Sequence, residues 1–537
     1  MKLELFSPNK EEIRCRLEEA TRLLESAKSF SDVRRAFDLH AEQSRVVDSA
    51  FSRAMLRYQQ DLTDEEAIAS LMENSVTMQT YIRYAPFGKA IANSPFREEI
   101  VKTYGPALCL LFEAEARLAG VEEEKGCVPA GFDDLRQEYQ MITSQIEYEY
   151  EGEPIGPADL FALIWNGNEE QVEKARKART AGILAKSAEY DRLLCETLAR
   201  AEEIREFYNL KSYYEYASRL AQMRFFYDEA DILHLLSQVK EKLVPAYRRL
   251  KSEWSKELSR PTPKTHDVMQ DMRTTTAAVS ESARAYFDTL EQMGCVDCAP
   301  SDTKENGIAF QRFVADIGVA PLIACGSGSY IDLVNLMHEF GHSLQEKNIF
   351  DSDKNYLCMT VSPDIMEIFS HVMEATLLFS GEHVFDDAKA FCARYLENVF
   401  ERILSCAACM EFEMYLFSAP HATAEERKAK YVQLYREYGQ ADGMDEDDLI
   451  CGYYREPFFF LSHFLLFAYV FSWIHALELV RRLPEDPEGF YALLKGVHVD
   501  SSVLSYEQLV AKYGMHNVFR EDVMDEFVSW VFEFLKQ

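Results

Sequence analysis

The chain is short of positive charge. Its 57 Lys and Arg stand against 90 Asp and Glu over 537 residues, a formal net charge of −33. A surface of that sign repels nucleic-acid phosphates and anionic membrane faces, which argues against a polyanion-binding role. Its default meaning is a well-solvated surface, with at most a preference for cationic substrates at low salt. An apolar leader is missing as well: Met1-Lys2-Leu3-Glu4-Leu5-Phe6-Ser7-Pro8 runs directly into Asn9-Lys10-Glu11-Glu12, so no secretory signal is expected. The 12 cysteines form no compact framework, which in a chain this long points to reduced thiols and a cytoplasmic setting. Two pairs, Cys295/Cys298 and Cys406/Cys409, have the spacing of a structural zinc site. They are far apart and the second lies in an apolar helical context, so buried thiols are the simpler reading. A long uncharged run occurs once, from Pro457 to Leu477. It is long enough to span a bilayer. Its His463, His475, Ser462 and Ser472, and aromatics that form no belts, fit a helix buried on all sides better.

The length exceeds one ordinary core and predicts two or more packed subregions. Apolar residues recur at three and four, as in Leu17, Ala20, Leu23 and Leu24, through long stretches such as Glu11–Ser29, Asp32–Arg57 and Leu233–Lys256. The expected fold is mainly α. No internal repeat or low-complexity tract appears. A break at Trp165-Asn166-Gly167-Asn168, followed by the charged helix Glu169–Lys186, divides the chain into an N-terminal helical region, 1–168, and a second region, 169–537. The convincing strand signals are the short apolar runs Ile308–Phe313 and Val319–Cys325, the latter ending in Gly326-Ser327-Gly328-Ser329. They predict a small sheet, either purely structural or presenting an exposed edge that binds peptide by strand addition.

What the sequence does contain is His338-Glu339-Phe340-Gly341-His342, set in the apolar helical stretch that begins at Ile331. On a helix, residues four apart lie one above the other, so both imidazoles reach one metal ion while Glu339 faces its open side. A catalytic zinc takes three protein ligands and keeps a fourth position free. The candidate third ligand is Glu367, on what reads as the next helix beyond the polar loop Asp351–Asn355. Glu374 follows two turns later on the same face, where it can accept a hydrogen bond from the second ring nitrogen of a ligating His. The expected cofactor is one Zn²⁺ per chain.

These residues resemble the thimet oligopeptidase and oligoendopeptidase F family of zinc metallopeptidases, the oligoendopeptidase F branch most of all. The resemblance is carried by Ile204–Tyr214, the Gly-containing loop, His338–Gln345 and Met366-Glu367-Ile368 with Glu374, from about Glu169 to the C-terminus. The first 165 residues resemble the family only in being helical. The resemblance implies a helical ellipsoid with a deep channel, zinc on its floor held by His338, His342 and Glu367, Glu339 as general base, short peptide substrates and a cytosolic location. The sequence departs from the family where C-terminal transition-state donors belong, with Gly452 at a His position, Phe459 at a Tyr position and His463 at another Tyr position. His463 and Tyr454 are the leading substitutes, with Tyr453 and Tyr469 behind them. The expected function is a zinc-dependent endopeptidase acting on short unstructured peptides. The alternatives are a zinc- and peptide-binding protein that has lost its donors, or a helical protein held in a membrane by Pro457–Leu477. The sequence is silent on oligomeric state.

Overall fold

The computed structural model describes residues 3–81, 83–126, 128–254, 261–265, 267–301, 303–304, 309–326 and 329–536. The fold is mainly α, as the apolar spacing predicts. The long amphipathic stretches form the helices Lys10–Glu25 and Phe30–Gln60, and a run from Glu229 to Trp254 interrupted by a π turn at Val239–Leu243. The end expected for that last run, at Lys256, lies outside the described residues. Between the first two helices Ser29 caps the second, its hydroxyl accepting the Asp32 N–H while the Asp32 carboxylate accepts the Ser29 N–H at 3.0 Å. Two helix-end donors are satisfied and the chain turns sharply.

Two apolar cores meet at the helix Pro106–Lys125. Cys109 and Phe112 join Phe37, Phe87 and Tyr104 in the smaller one. Leu111 and Leu118 join the larger, which reaches Leu535. The smaller core also takes in Leu357 and Cys358. Asn168 is the N-cap of the helix Glu169–Leu184, in a capping box with Gln171. The side chains of Trp165 and Asn166 lie outside the described residues.

The uncharged run 457–477 is not one helix. A short helix, Phe458–Leu461, ends in a break where Phe464 adopts a φ of 63°, and a second helix, Phe467–Val480, follows. The Phe464 N–H donates to Glu413 Oε1 at 2.9 Å, so a buried carboxyl rather than another turn of helix takes it. Among the described residues no helix is long and apolar enough to cross a membrane.

Three short strands form a sheet with Leu322–Ala324 at its centre, parallel to Val296–Asp297 and antiparallel to Ala309–Gln311. The register pairs Ala309 with Ala324, Phe310 with Ile323 and Gln311 with Leu322. This corrects the expectation for Val319–Cys325: its strand is buried on both faces, and Ala309–Gln311 is one of the two outer strands, Val296–Asp297 being the other. Ile308, expected to begin that strand, lies outside the described residues, as do Ser327 and Gly328 of the glycine loop. A separate hairpin, Tyr148–Tyr150 with Glu153–Ile155, turns at Glu151 and Gly152 with φ of 55° and 88°. Positive φ at both positions is what a tight hairpin turn requires.

Candidate active site

The helix Tyr330–Phe350 presents Leu336, Met337, Phe340 and Leu344 to the core, where Phe340 meets the rings of Tyr286 at 5.8 Å and Phe287 at 5.9 Å. Its opposite stripe carries His338, Glu339 and His342. The helix Pro363–Ala375 crosses it at Gly341, where a Cβ would stand 2.5 Å from the Phe369 carbonyl oxygen and 2.6 Å from the Ser370 Cα. Only glycine permits that approach, and the approach sets the position of Glu367.

Glu367 Oε2 lies 3.4 Å from His338 Nε2 and 3.6 Å from His342 Nε2. A tetrahedral ion with bonds of about 2.1 Å separates its ligand atoms by about 3.4 Å, so these three atoms fit a zinc ion. The Nδ1 of His338 faces Glu374 Oε1 at 2.5 Å, which leaves Nε2 available to a metal ion. Ser370 Oγ donates to Glu367 Oε2 at 2.9 Å and holds its rotamer. His338, His371 and Glu374 also cluster. In that group the inner atoms of His338 and Glu374 are already joined by the short hydrogen bond, so it is an orienting network rather than a second ligand set.

Burial disfavours an imidazolium at His338, but Glu367 and Glu374 overcome it and hold the pKa well above the usual histidine value. The cluster thus favours one positive charge at His338. A metal ion would take the place of that proton. Burial pushes His342 down to about 4, leaving a neutral ring with a free lone pair. Burial also raises Glu339 to about 8, partly opposed by His338. A bound cation would lower it again by its charge. The main-chain N–H of Gln311, on the outer strand, is directed at the Glu339 carboxylate.

The structure does not bring His463 or Tyr454 to this cluster. His463 Nδ1 pairs with the Tyr213 hydroxyl at 2.8 Å, and its ring is packed by Phe132 and Phe417. Tyr454 donates to Asp191 at 2.9 Å and stacks on Tyr190. Tyr453 is buried beside Phe412 and Tyr431. Phe459 is buried against Phe412, so the departure at that position leaves no donor there. Tyr469 is the tyrosine that faces the site: the Glu367 charge, then burial, drives its pKa far up, and Glu339 adds to the effect. Its ring lies 5.7 Å from that of His371. A hydroxyl so strongly kept protonated is a hydrogen-bond donor.

Three contributors went unread in the sequence. His371 donates or accepts through Nδ1 with Ser472 at 2.8 Å and stacks on Trp473 at 3.9 Å, joining the Glu367 helix to Phe467–Val480. Its spacing of four from Glu367 was the available signal. Tyr395, on the helix Ala388–Ser418, faces Glu374, and Arg402 lies further along the same helix. Neither has a motif that marks it. Cys406 and Cys409 are free thiols buried in that helix, Cys409 in contact with the Tyr435 hydroxyl at 3.4 Å.

Residues 2–119 match the pattern of the Peptidase M3 N-terminal domain family. The likeness therefore reaches the very region that showed only generic helicity. No curated protein matches the sequence. Among solved structures the chain is similar to a protein assigned as an oligoendopeptidase F, at a TM-score of 0.86 and 18% identity over 100% of this chain and 98% of that one. It is similar to PZ peptidase A with an inhibitor at 0.86 and 18%, over 99% of each chain. The oligoendopeptidase-F of Enterococcus faecium follows at 0.60 and 15%, over 98% of this chain and 96% of that one. At these identities the shared property is the fold, over essentially the whole chain.

Proposed function

We propose that this chain is a zinc-dependent endopeptidase that hydrolyses short unstructured peptides. The observation that carries the reading is the convergence of His338 Nε2, His342 Nε2 and Glu367 Oε2, with Glu339 on the adjacent face of the same helix. Zinc held by these three groups would supply Lewis-acid polarisation of the scissile carbonyl and acidify a bound water. Glu339 takes the proton of the attacking water and passes it to the leaving amine. Its carboxylate is aligned for this by the Gln311 N–H. Tyr469 donates its hydroxyl hydrogen to the oxygen on which negative charge develops, the role that Gly452 and Phe459 cannot fill. Glu374 and Ser370 act on the ligands, fixing the tautomer of His338 and the rotamer of Glu367. The outer strand Ala309–Gln311 offers main-chain groups to an extended peptide, which gives affinity with little sequence preference.

The binding-only alternative rests on the loss of donors at Gly452 and Phe459. Tyr469 answers it, and so does the retained Glu339, since a protein that only binds has no use for a base there. The test is a quenched-fluorescent peptide library assayed with and without chelator, alongside elemental analysis. We expect about one zinc per chain, turnover abolished by chelation, and a loss of at least about a hundredfold in kcat for Glu339→Gln with zinc retained. A chain that holds zinc but cleaves nothing would leave the binding-only reading standing.

A further inference from the structure

Among the described residues the Arg402 guanidinium has no ion-pair partner, in a strongly acidic protein. It lies on the helix Ala388–Ser418, with Tyr395 two turns before it and Cys406 one turn after it on the same face. That face is turned to the site: the Tyr395 ring meets Trp473 at 5.8 Å, and Trp473 stacks on His371. The charged and polar groups within electrostatic reach of Arg402 include Cys406, Tyr469, Glu374, Glu456, His371 and the adjacent Glu401. Its side chain is nevertheless exposed, although Cys406 and Glu374 beside it are buried. Arg402 thus reaches solvent beside the site's own residues, where an approaching substrate could meet it.

Two of the carboxylates within its reach are otherwise occupied. Glu374 holds His338, and Glu456 Oε1 accepts the Phe458 N–H at 3.3 Å. Among the described residues the Arg402 guanidinium forms no hydrogen bond or ion pair. Arg312 and Arg224 are by contrast neutralised, by Asp48 at 3.1 Å and by Asp364 at 2.8 Å. A guanidinium offers five donors in a planar fork that matches a carboxylate in bidentate fashion.

We propose that Arg402 is a specificity-determining anchor for a substrate carboxylate, placed in the cleft beside Tyr469. This rests on the peptidase reading above. The carboxylate is either the C-terminus of the peptide or an Asp or Glu side chain, and the same fork serves both. An anchor of this kind selects for peptides that present a carboxylate at a fixed distance from the bond to be cut.

The experiment uses one unstructured peptide in four forms: free acid, C-terminal amide, and versions with Glu or Gln at an internal position. Turnover is measured on the zinc-loaded enzyme, and binding by fluorescence anisotropy in the Glu339→Gln background. Each is repeated with Arg402→Gln and Arg402→Lys. The expected result is that Arg402→Gln raises KM and the dissociation constant by about ten- to a hundredfold for one carboxylate-bearing form and not for its neutral counterpart. Arg402→Lys restores part of the loss. A loss confined to the free-acid and amide comparison assigns the C-terminus, and one confined to Glu against Gln assigns a side chain. An equal effect on all four peptides, or none on any, overturns the anchor. If peptides bind with this discrimination but are never cleaved, the anchor stands and the peptidase reading falls.

Discussion

Tyr469 and His463 lie on one apolar run, yet only Tyr469 faces the chemistry, because the left-handed turn at Phe464 redirects the chain between them. Spacing within a run assigns faces only while the helix is continuous. Removing one oxyanion donor typically costs about a hundredfold or more in kcat. Tyr469→Phe is therefore expected to lower kcat to that degree with a smaller change in KM and unchanged zinc content, while His463→Phe leaves kcat essentially unaltered and reduces stability through the lost Tyr213 contact. The reverse pattern in steady-state kinetics would return the role to His463. Glu413 is the second residue with a measurable consequence. Burial raises its carboxyl pKa far above the usual range, only partly opposed by the Phe464 N–H. The folded state then binds a proton that the unfolded chain has released, so stability falls as pH rises above the unfolded value. Glu413→Gln keeps the acceptor for Phe464 and removes the titration. Thermal denaturation should show variant and wild type at their most similar at or below about pH 4 and a progressively more stable variant toward pH 8; parallel pH profiles would mean the carboxyl is not held neutral.

Between residues and the whole stand the two helices that cross at Gly341. Gly341→Ala places a methyl against main-chain atoms that have no side chain to yield, so the helices must separate. Overpacking of this kind costs about 1–3 kcal/mol. The specific consequence is that Glu367 is drawn from the two imidazoles. We expect a weaker zinc affinity in competition titrations as well as a lower melting temperature, whereas stability loss with unchanged affinity would show that the crossing does not position the ligand. This element pair was legible in the sequence because local periodicity placed both imidazoles and the following polar loop forced the next helix back across them. The N-terminal helices were legible for the same reason. The outer strand was misassigned because two short apolar runs look alike until pairing shows which is central, and the register is a long-range property. Arg402 and Tyr395 were illegible because they reach the site from a helix whose sequence bears no metal-binding or catalytic pattern, through packing against Trp473.

At the scale of the whole molecule, the reacting groups are nearly enclosed: the side chains of His338, His342 and Glu367 are 18%, 9% and 13% exposed. A folded substrate cannot bring a main-chain carbonyl to atoms so covered, whereas on the proposed reading an extended chain lying along Ala309–Gln311 can. Over this enclosure the chain carries a net charge of −33, whose field draws cationic peptides toward any opening and weakens once salt shortens its reach to about 10 Å near 0.1 M. Two outcomes follow for an active enzyme. A disulfide-bonded protein should resist cleavage in its native form, while peptides of the same sequence, reduced and unstructured, are cut. Among those peptides, kcat/KM for Lys- and Arg-rich members should fall with added salt and that for acidic members should rise or stay level, the change appearing in KM because encounter rather than chemistry is affected. Gel and mass-spectrometric analysis of the digests decides the first, and kinetics across an ionic-strength series decides the second. Efficient cutting of the native, disulfide-bonded protein would show that the ligands are reached through an open cleft, and the size selection would then have to come from Arg402 and the outer strand alone.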